Sequence, residues 1–240
     1  MSREAKEKKN QCRRERNFRE KRATKASLTP KSSPDDLPPG GIIHLSYDIT
    51  WEPLEKDEPK VQALRDEFGD EQWSQLHSQL YDDPRKAVPV LEALLKRYPD
   101  VPSLYNWLGV AYQATGENAK AGALTRLNFE RNPDYLFARV AMCEMLLRDG
   151  GVDEVTRILD KNFDLKFMYP CRNVFHITEV LGFEYLLVKY FLALGNTRQA
   201  RIQLNFLEKI APQHPVTKDA RLLIARAFFK FPNFVSRWLK

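Results

Sequence analysis

The sequence is poor in the residues that build reactive or metal-binding centres. Its 240 residues hold four histidines, three cysteines and ten glycines. His44, His77, His176 and His214 are scattered, and none has a second ligand at helical spacing, so the paired-histidine zinc pattern is absent. Cys12, Cys143 and Cys171 are odd in number and not spaced for a metal. Read as unpaired thiols in a chain without an apolar signal run, they point to a reducing, cytoplasmic interior. Gly40-Gly41 and Gly150-Gly151 lack both the Lys-Ser/Thr that completes a phosphate loop and the spacing of a dinucleotide turn. No apolar run approaches the roughly eighteen residues of a membrane span, so a soluble chain is expected. The adjacent carboxylates Asp82 and Asp83 stand before Pro84, where a helix cap accounts for them. No catalytic constellation remains, and the expectation is a non-enzyme without cofactor or metal.

Charge is unevenly distributed. Residues 1–31 carry twelve Lys or Arg against four Glu, a balance of +8, while the whole chain is +6, so the remainder is near −2. The basic character belongs to the head. Residues 1–40 read as a disordered basic tail and a Ser/Pro-rich linker. Lys8, Lys9, Arg13, Arg14, Arg16, Arg19, Lys21 and Arg22 are the candidate polyanion-binding residues, because such a run neutralises phosphates and releases counterions. Phe18 is the one aromatic in that head, which does not support a platform for stacking bases.

Beyond the head, the pattern is helical and periodic. In residues 102–135, Tyr105, Leu108, Gly109 and Tyr112 form one stripe, with Gly109 placed where a neighbouring helix is expected to approach closely. Thr115-Gly116-Glu117 breaks it, Ala121 and Leu124 begin a second stripe, and Asn132-Pro133 stops it. Ala87, Val90, Ala93-Leu94 and Pro99 stand 34 residues before Ala121, Leu124, Leu127-Asn128 and Pro133. The helix before them has the stripe Trp73, Leu76 and Leu80 and a shorter turn at Asp82-Asp83-Pro84, with Asp83 as N-cap. Cys143, Leu146, Gly150 and Val155 stand 34 residues after Gly109, Tyr112, Gly116 and Ala121. A fourth unit, Tyr185, Val188, Phe191, Gly195, Ala200, Leu204 and Pro212, is offset by 45 instead, so the extra residues fall in the insertion 161–175. Val216 to Lys230 reads as a lone amphipathic helix closing the stack.

The unit around Leu108-Gly109, Tyr112, Gly116, Ala121 and Pro133 resembles the tetratricopeptide repeat, with Tyr105 where that family usually has Trp and Thr125 where it usually has a large apolar residue. The resemblance covers residues 70–230. It implies an all-α, right-handed superhelical solenoid of about four helix pairs plus a C-terminal capping helix, acting as a protein-interaction scaffold in the cytoplasm. The expected division is 1–40 tail and linker, 41–60 extended apolar strip and connector, and 61–240 repeat domain.

Two stretches do not fit the repeat. In residues 42–51, Ile43, Leu45, Tyr47, Ile49 and Trp51 alternate with polar residues, the period of a half-buried strand. A helical stack gives a lone strand no partner, so the strip is expected to lie along the helices, over the first repeat or in its groove. The insertion 161–175 carries Phe163, Leu165, Phe167, Met168 and Tyr169, too apolar for a free loop; it is expected to fill the gap between units or to fold over the groove.

The first helix of each pair forms the concave face implied by the resemblance. The partner-groove candidates are Asn106, Val110 and Gln113, then Val140, Glu144 and Leu147, then Tyr185, Lys189 and Leu192, with Trp107 and Phe137 near the same face. This lining suits a peptide or helix of a protein partner. Members of the family that hold the acidic tail of cytosolic chaperones use a clamp of Lys, Asn and Arg at these places, and this sequence lacks it. The alternative is a nucleic-acid- or ribosome-associated adaptor acting through the basic tail. Phe231, Phe234, Val235, Trp238 and Leu239 form an apolar end suited to self-association.

Overall fold

The computed structural model describes residues 47–51, 59–159 and 163–229. The basic tail, the start of the strip and the apolar C-terminal end lie outside these. The contacts divide the chain into two units. One takes in the described residues 47–50 and 163–175, the other residues 51, 59–159 and 176–229.

The described residues of the larger unit are mainly helical. After α1 (Pro59–Phe68) come α2 (Asp70–Asp82) and α3 (Pro84–Arg97), α4 (Pro102–Ala114) and α5 (Asn118–Arg131), and α6 (Leu136–Arg148) and α7 (Val152–Leu159). Beyond the insertion follow α9 (Ile177–Ala193) and α10 (Thr197–Ile210), and then α11 (Pro215–Phe229). Within each of the runs α1–α7 and α9–α11 each helix packs on its successor, and the first helices of the pairs α2, α4, α6 and α9 also pack on one another. That is an all-α solenoid of four helix pairs with a capping helix, preceded by α1.

The turns show why the chain pairs this way. Gly116, with φ +83°, ends α4 in the left-handed region that glycine adopts without a Cβ penalty. Its N–H bonds the Gln113 carbonyl at 3.1 Å and the next N–H, of Glu117, reaches back to Tyr112 at 2.8 Å. The same two bonds recur around Gly150 and Gly195, the other first-helix ends. These glycines are spaced 34 and then 45 residues apart, the register read from the sequence. The first pair differs: Asp83 caps α3 without a side-chain cap bond, its carbonyl accepting from the Lys86 N–H at 2.9 Å while its carboxylate pairs with the Lys86 ammonium at 2.8 Å.

A continuous core runs from α1 to α5 through Val61, Leu64, Trp73, Leu76, Leu91, Leu104 and Leu108. Each large side chain buried there contributes about 1.5–3 kcal/mol. In the second half α9 takes over this role. Ile177, Val180, Leu181, Phe183, Leu186, Leu187, Val188, Tyr190 and Phe191 are all buried, and a helix so broadly apolar needs cover on several sides, which α6, α10 and α11 supply. Its start is fixed by His176, whose Nδ1 accepts from the Thr178 N–H at 3.2 Å while Glu179 accepts from the His176 N–H at 3.0 Å. At the other end, α1 is tied down by Glu67, which accepts from the Arg97 guanidinium and the Tyr98 hydroxyl.

One reading of the sequence is corrected here. A Cβ built on Gly109 would meet nothing within 4 Å, so this glycine does not serve a close helix approach.

The smaller unit corrects another. The strip is not a strand without a partner: β1 (Asp48–Thr50) forms a two-stranded sheet with β2 (Val174–His176), from the end of the insertion. Backbone N–H and C=O groups need partners, and the inserted segment supplies them, the Asp48 N–H bonding the Asn173 carbonyl at 2.7 Å. Tyr47 meets the fully buried Phe175 edge-on at 5.0 Å, and the Arg172 guanidinium lies 4.3 Å from the Phe175 ring centre. Between them stands α8 (Leu165–Met168), capped by Asp164, which accepts from the Lys166 N–H at 2.6 Å. The Lys166 ammonium donates to the carbonyls of Pro170 at 3.0 Å and Arg172 at 2.9 Å, closing the loop that leads into β2.

Candidate partner groove

A cleft of about 460 Å³ opens between the first helices of the second, third and fourth pairs. Gln113 of α4, Glu144 and Leu147 of α6, and Tyr185, Lys189 and Leu192 of α9 line it. A smaller hollow of about 180 Å³ is lined by Asn106, Val110, Gln113, Phe137, Val140 and Glu144. Gln113, Thr125, Ala141 and Glu144 belong to both, so the two form one groove. Ten of the eleven groove residues expected from the sequence thus line it. Val140 is mostly buried, at 9% exposure. Trp107 lines neither hollow; its ring packs edge-on against Trp73 at 5.3 Å and His77 at 5.0 Å. The polyanion-binding candidates Lys8 to Arg22 lie outside the described residues.

The two charged residues of the groove meet each other. The Lys189 ammonium donates to Glu144 Oε1 at 2.6 Å, bridging the third and fourth pairs, and sits 4.0 Å from the Tyr185 ring centre. Both side chains are about a third exposed, so the pair contributes at most about 1 kcal/mol; its effect is to fix the position of both heads on the groove wall. Burial, with smaller contributions from the charges of Asp219 and Glu144, raises the Tyr185 hydroxyl above its ordinary value, so it stays a neutral donor at neutral pH.

Sequence counting along first helices missed what the second helix brings. Asn118, Ala121, Gly122 and Thr125 of α5 form part of the cleft, together with Arg148 at the end of α6 and Leu223 of α11. A further hollow of about 460 Å³, lined by Asn118, Gly122, Arg126, Met145, Arg148 and Asp149 among others, adjoins it. The available signal was Gly122 itself, a glycine inside a helix with no turn to make.

Among the described residues, several other groups with chemical potential have structural surroundings. Burial pushes the Cys143 thiol up to about 12, which removes it as a nucleophile. His176 and His214 act as caps, the latter accepting from the Val216 N–H at 3.2 Å. No group of three or more His, Cys, Asp or Glu among the described residues is arranged to hold a metal ion. No helix among them is long and apolar enough to cross a membrane.

Helix pairs stacked through their first members, with a groove along those members and a closing helix, define a helical repeat protein. Residues 82–127 match the family model of the tetratricopeptide repeat. Repeats of this family generally mediate contacts between proteins and typically serve as non-catalytic scaffolds. No curated protein and no solved structure gives a significant match to the chain.

Proposed function

We propose that the protein is a non-catalytic scaffold that holds a peptide segment of a protein partner in the groove along α4, α6 and α9. The observation that carries this reading is the groove itself: free amides, small side chains and apolar walls converge there from three successive repeats. Leu147, Leu192 and Leu223 offer apolar contact, while Gln113 and Asn118 form no side-chain hydrogen bond among the described residues. Walls of this mixture suit an amphipathic or extended segment.

A photo-reactive phenylalanine analogue tests it, placed at Gln113 in the groove or at Ile202, which is exposed on α10 and lines none of these hollows. Partner proteins in lysate should crosslink at Gln113 and not at Ile202. Equal crosslinking at both positions, or capture that nuclease abolishes, would remove the reading.

A further inference from the structure

The groove is deeper than the packing of the protein requires. Glycine inside a helix is less favourable than alanine, because its backbone loses more freedom on folding. Gly122 lies within α5, and a Cβ there would meet only Arg126 Nη1 at 3.6 Å and the Met145 sulfur at 3.7 Å, ordinary contacts. Gly109 lies within α4 and faces open space. Both glycines line the groove, on either side of Thr125 and Ala141. Their absent side chains leave room that no part of the described chain fills.

The charges at the same place are unbalanced. Glu144 is neutralised by Lys189 at 2.6 Å. Arg148 reaches Asp149 only at 3.9 Å, and Arg126 has no ion pair among the described residues. Two guanidinium groups therefore border the hollow beside Gly122, one from each of two adjacent helices. The Asn118 and Gln113 amides stand beside them, suited to hydrogen bonding an extended backbone.

We propose that the groove takes an extended peptide segment in which an acidic side chain, held between Arg126 and Arg148, neighbours a bulky apolar side chain seated over Gly122 against Met145, Leu147 and Leu192. This rests on the groove reading and names its ligand class. A planar guanidinium binds a carboxylate through two parallel hydrogen bonds, and Arg126 and Arg148 supply that chemistry.

The test is a selection of random dodecapeptides on the full-length protein, followed by fluorescence anisotropy with an enriched peptide as probe. Enriched peptides should carry Asp or Glu next to Leu, Phe, Tyr or Trp. Replacing that acid by its amide in the probe, or the double substitution Arg126→Gln and Arg148→Gln, should weaken binding roughly tenfold. Both arginines are exposed, so the double variant keeps the fold. Gly122→Leu should fill the hollow and reduce binding below detection. Peptides that lose binding on Gly122→Leu yet need no acid would overturn the acidic preference and leave the groove standing. Peptides indifferent to Gly122→Leu, failure to enrich any peptide, or displacement of the probe by an oligouridine RNA would overturn both.

Discussion

Two glycines in one repeat unit should respond to alanine in opposite directions. At Gly122 the backbone is helical and the added Cβ finds ordinary contacts at 3.6 and 3.7 Å, so Gly122→Ala gains helix propensity and loses nothing. The expected gain is roughly 0.5–1 kcal/mol, which raises the melting midpoint of a chain this size by about 1–4 °C. At Gly116 φ is +83°, where a Cβ crowds the backbone at a cost of roughly 1–2 kcal/mol, and the bonds to Gln113 and Tyr112 depend on that turn. Gly116→Ala should therefore lower the midpoint by about 2–8 °C. Thermal melts followed by circular dichroism at neutral pH, on the full-length variants, measure both. A lower midpoint for Gly122→Ala would show that the space beside it is not free, and with it would go the argument that the groove is left open for a ligand. An unchanged midpoint for Gly116→Ala would refute the left-handed turn.

Three other outcomes follow from the packing and the titrating groups. Phe183→Ala, at a fully buried position of α9, should cost about 3–5 kcal/mol in urea unfolding, and a loss below about 1 kcal/mol would contradict the placement of α9 at the centre of the second half. Cys143 and Tyr112 are both raised to about 12, Cys143 chiefly by burial, and Tyr112 by burial first and then by the bond its hydroxyl donates to Glu92 at 2.5 Å. The folded state thus holds these protons more tightly than the unfolded state, and their contribution is complete below about pH 9, then lost as pH rises towards 12, at up to about 1.4 kcal/mol per pH unit and proton. Cys143→Ala should flatten the first part of that decline in urea titrations at pH 9 to 10. Lys166→Met removes the bonds to the Pro170 and Arg172 carbonyls, and faster amide exchange at Asp48 and Tyr169 should report the loosened loop.

The repeat was legible because its signals are local. A turn glycine, a small residue at the start of the second helix and a stripe of apolar residues recur at fixed spacing, and Gly116, Gly150 and Gly195 keep that register in the folded chain. The change of offset to 45 also located the insertion. The pairing of β1 with β2 was not legible: alternation marks a strand, but its partner lies more than a hundred residues away and is chosen by tertiary packing. Trp107 shows a similar limit. Its helix position placed it near the groove, whereas its size draws it into the stack with Trp73 and His77. Arg126 and Arg148 were invisible as a pair because they border one hollow only when two repeats stack.

Amide hydrogen exchange of the full-length protein, with and without a peptide selected against it, tests the partner groove most directly. The account predicts protection concentrated in Pro102–Ala114, Asn118–Arg131, Leu136–Arg148 and Ile177–Ala193, the helices that supply most of the cleft lining, with Thr197–Ile210 unchanged. Protection confined to Thr197–Ile210 or to residues 163–175 would contradict it.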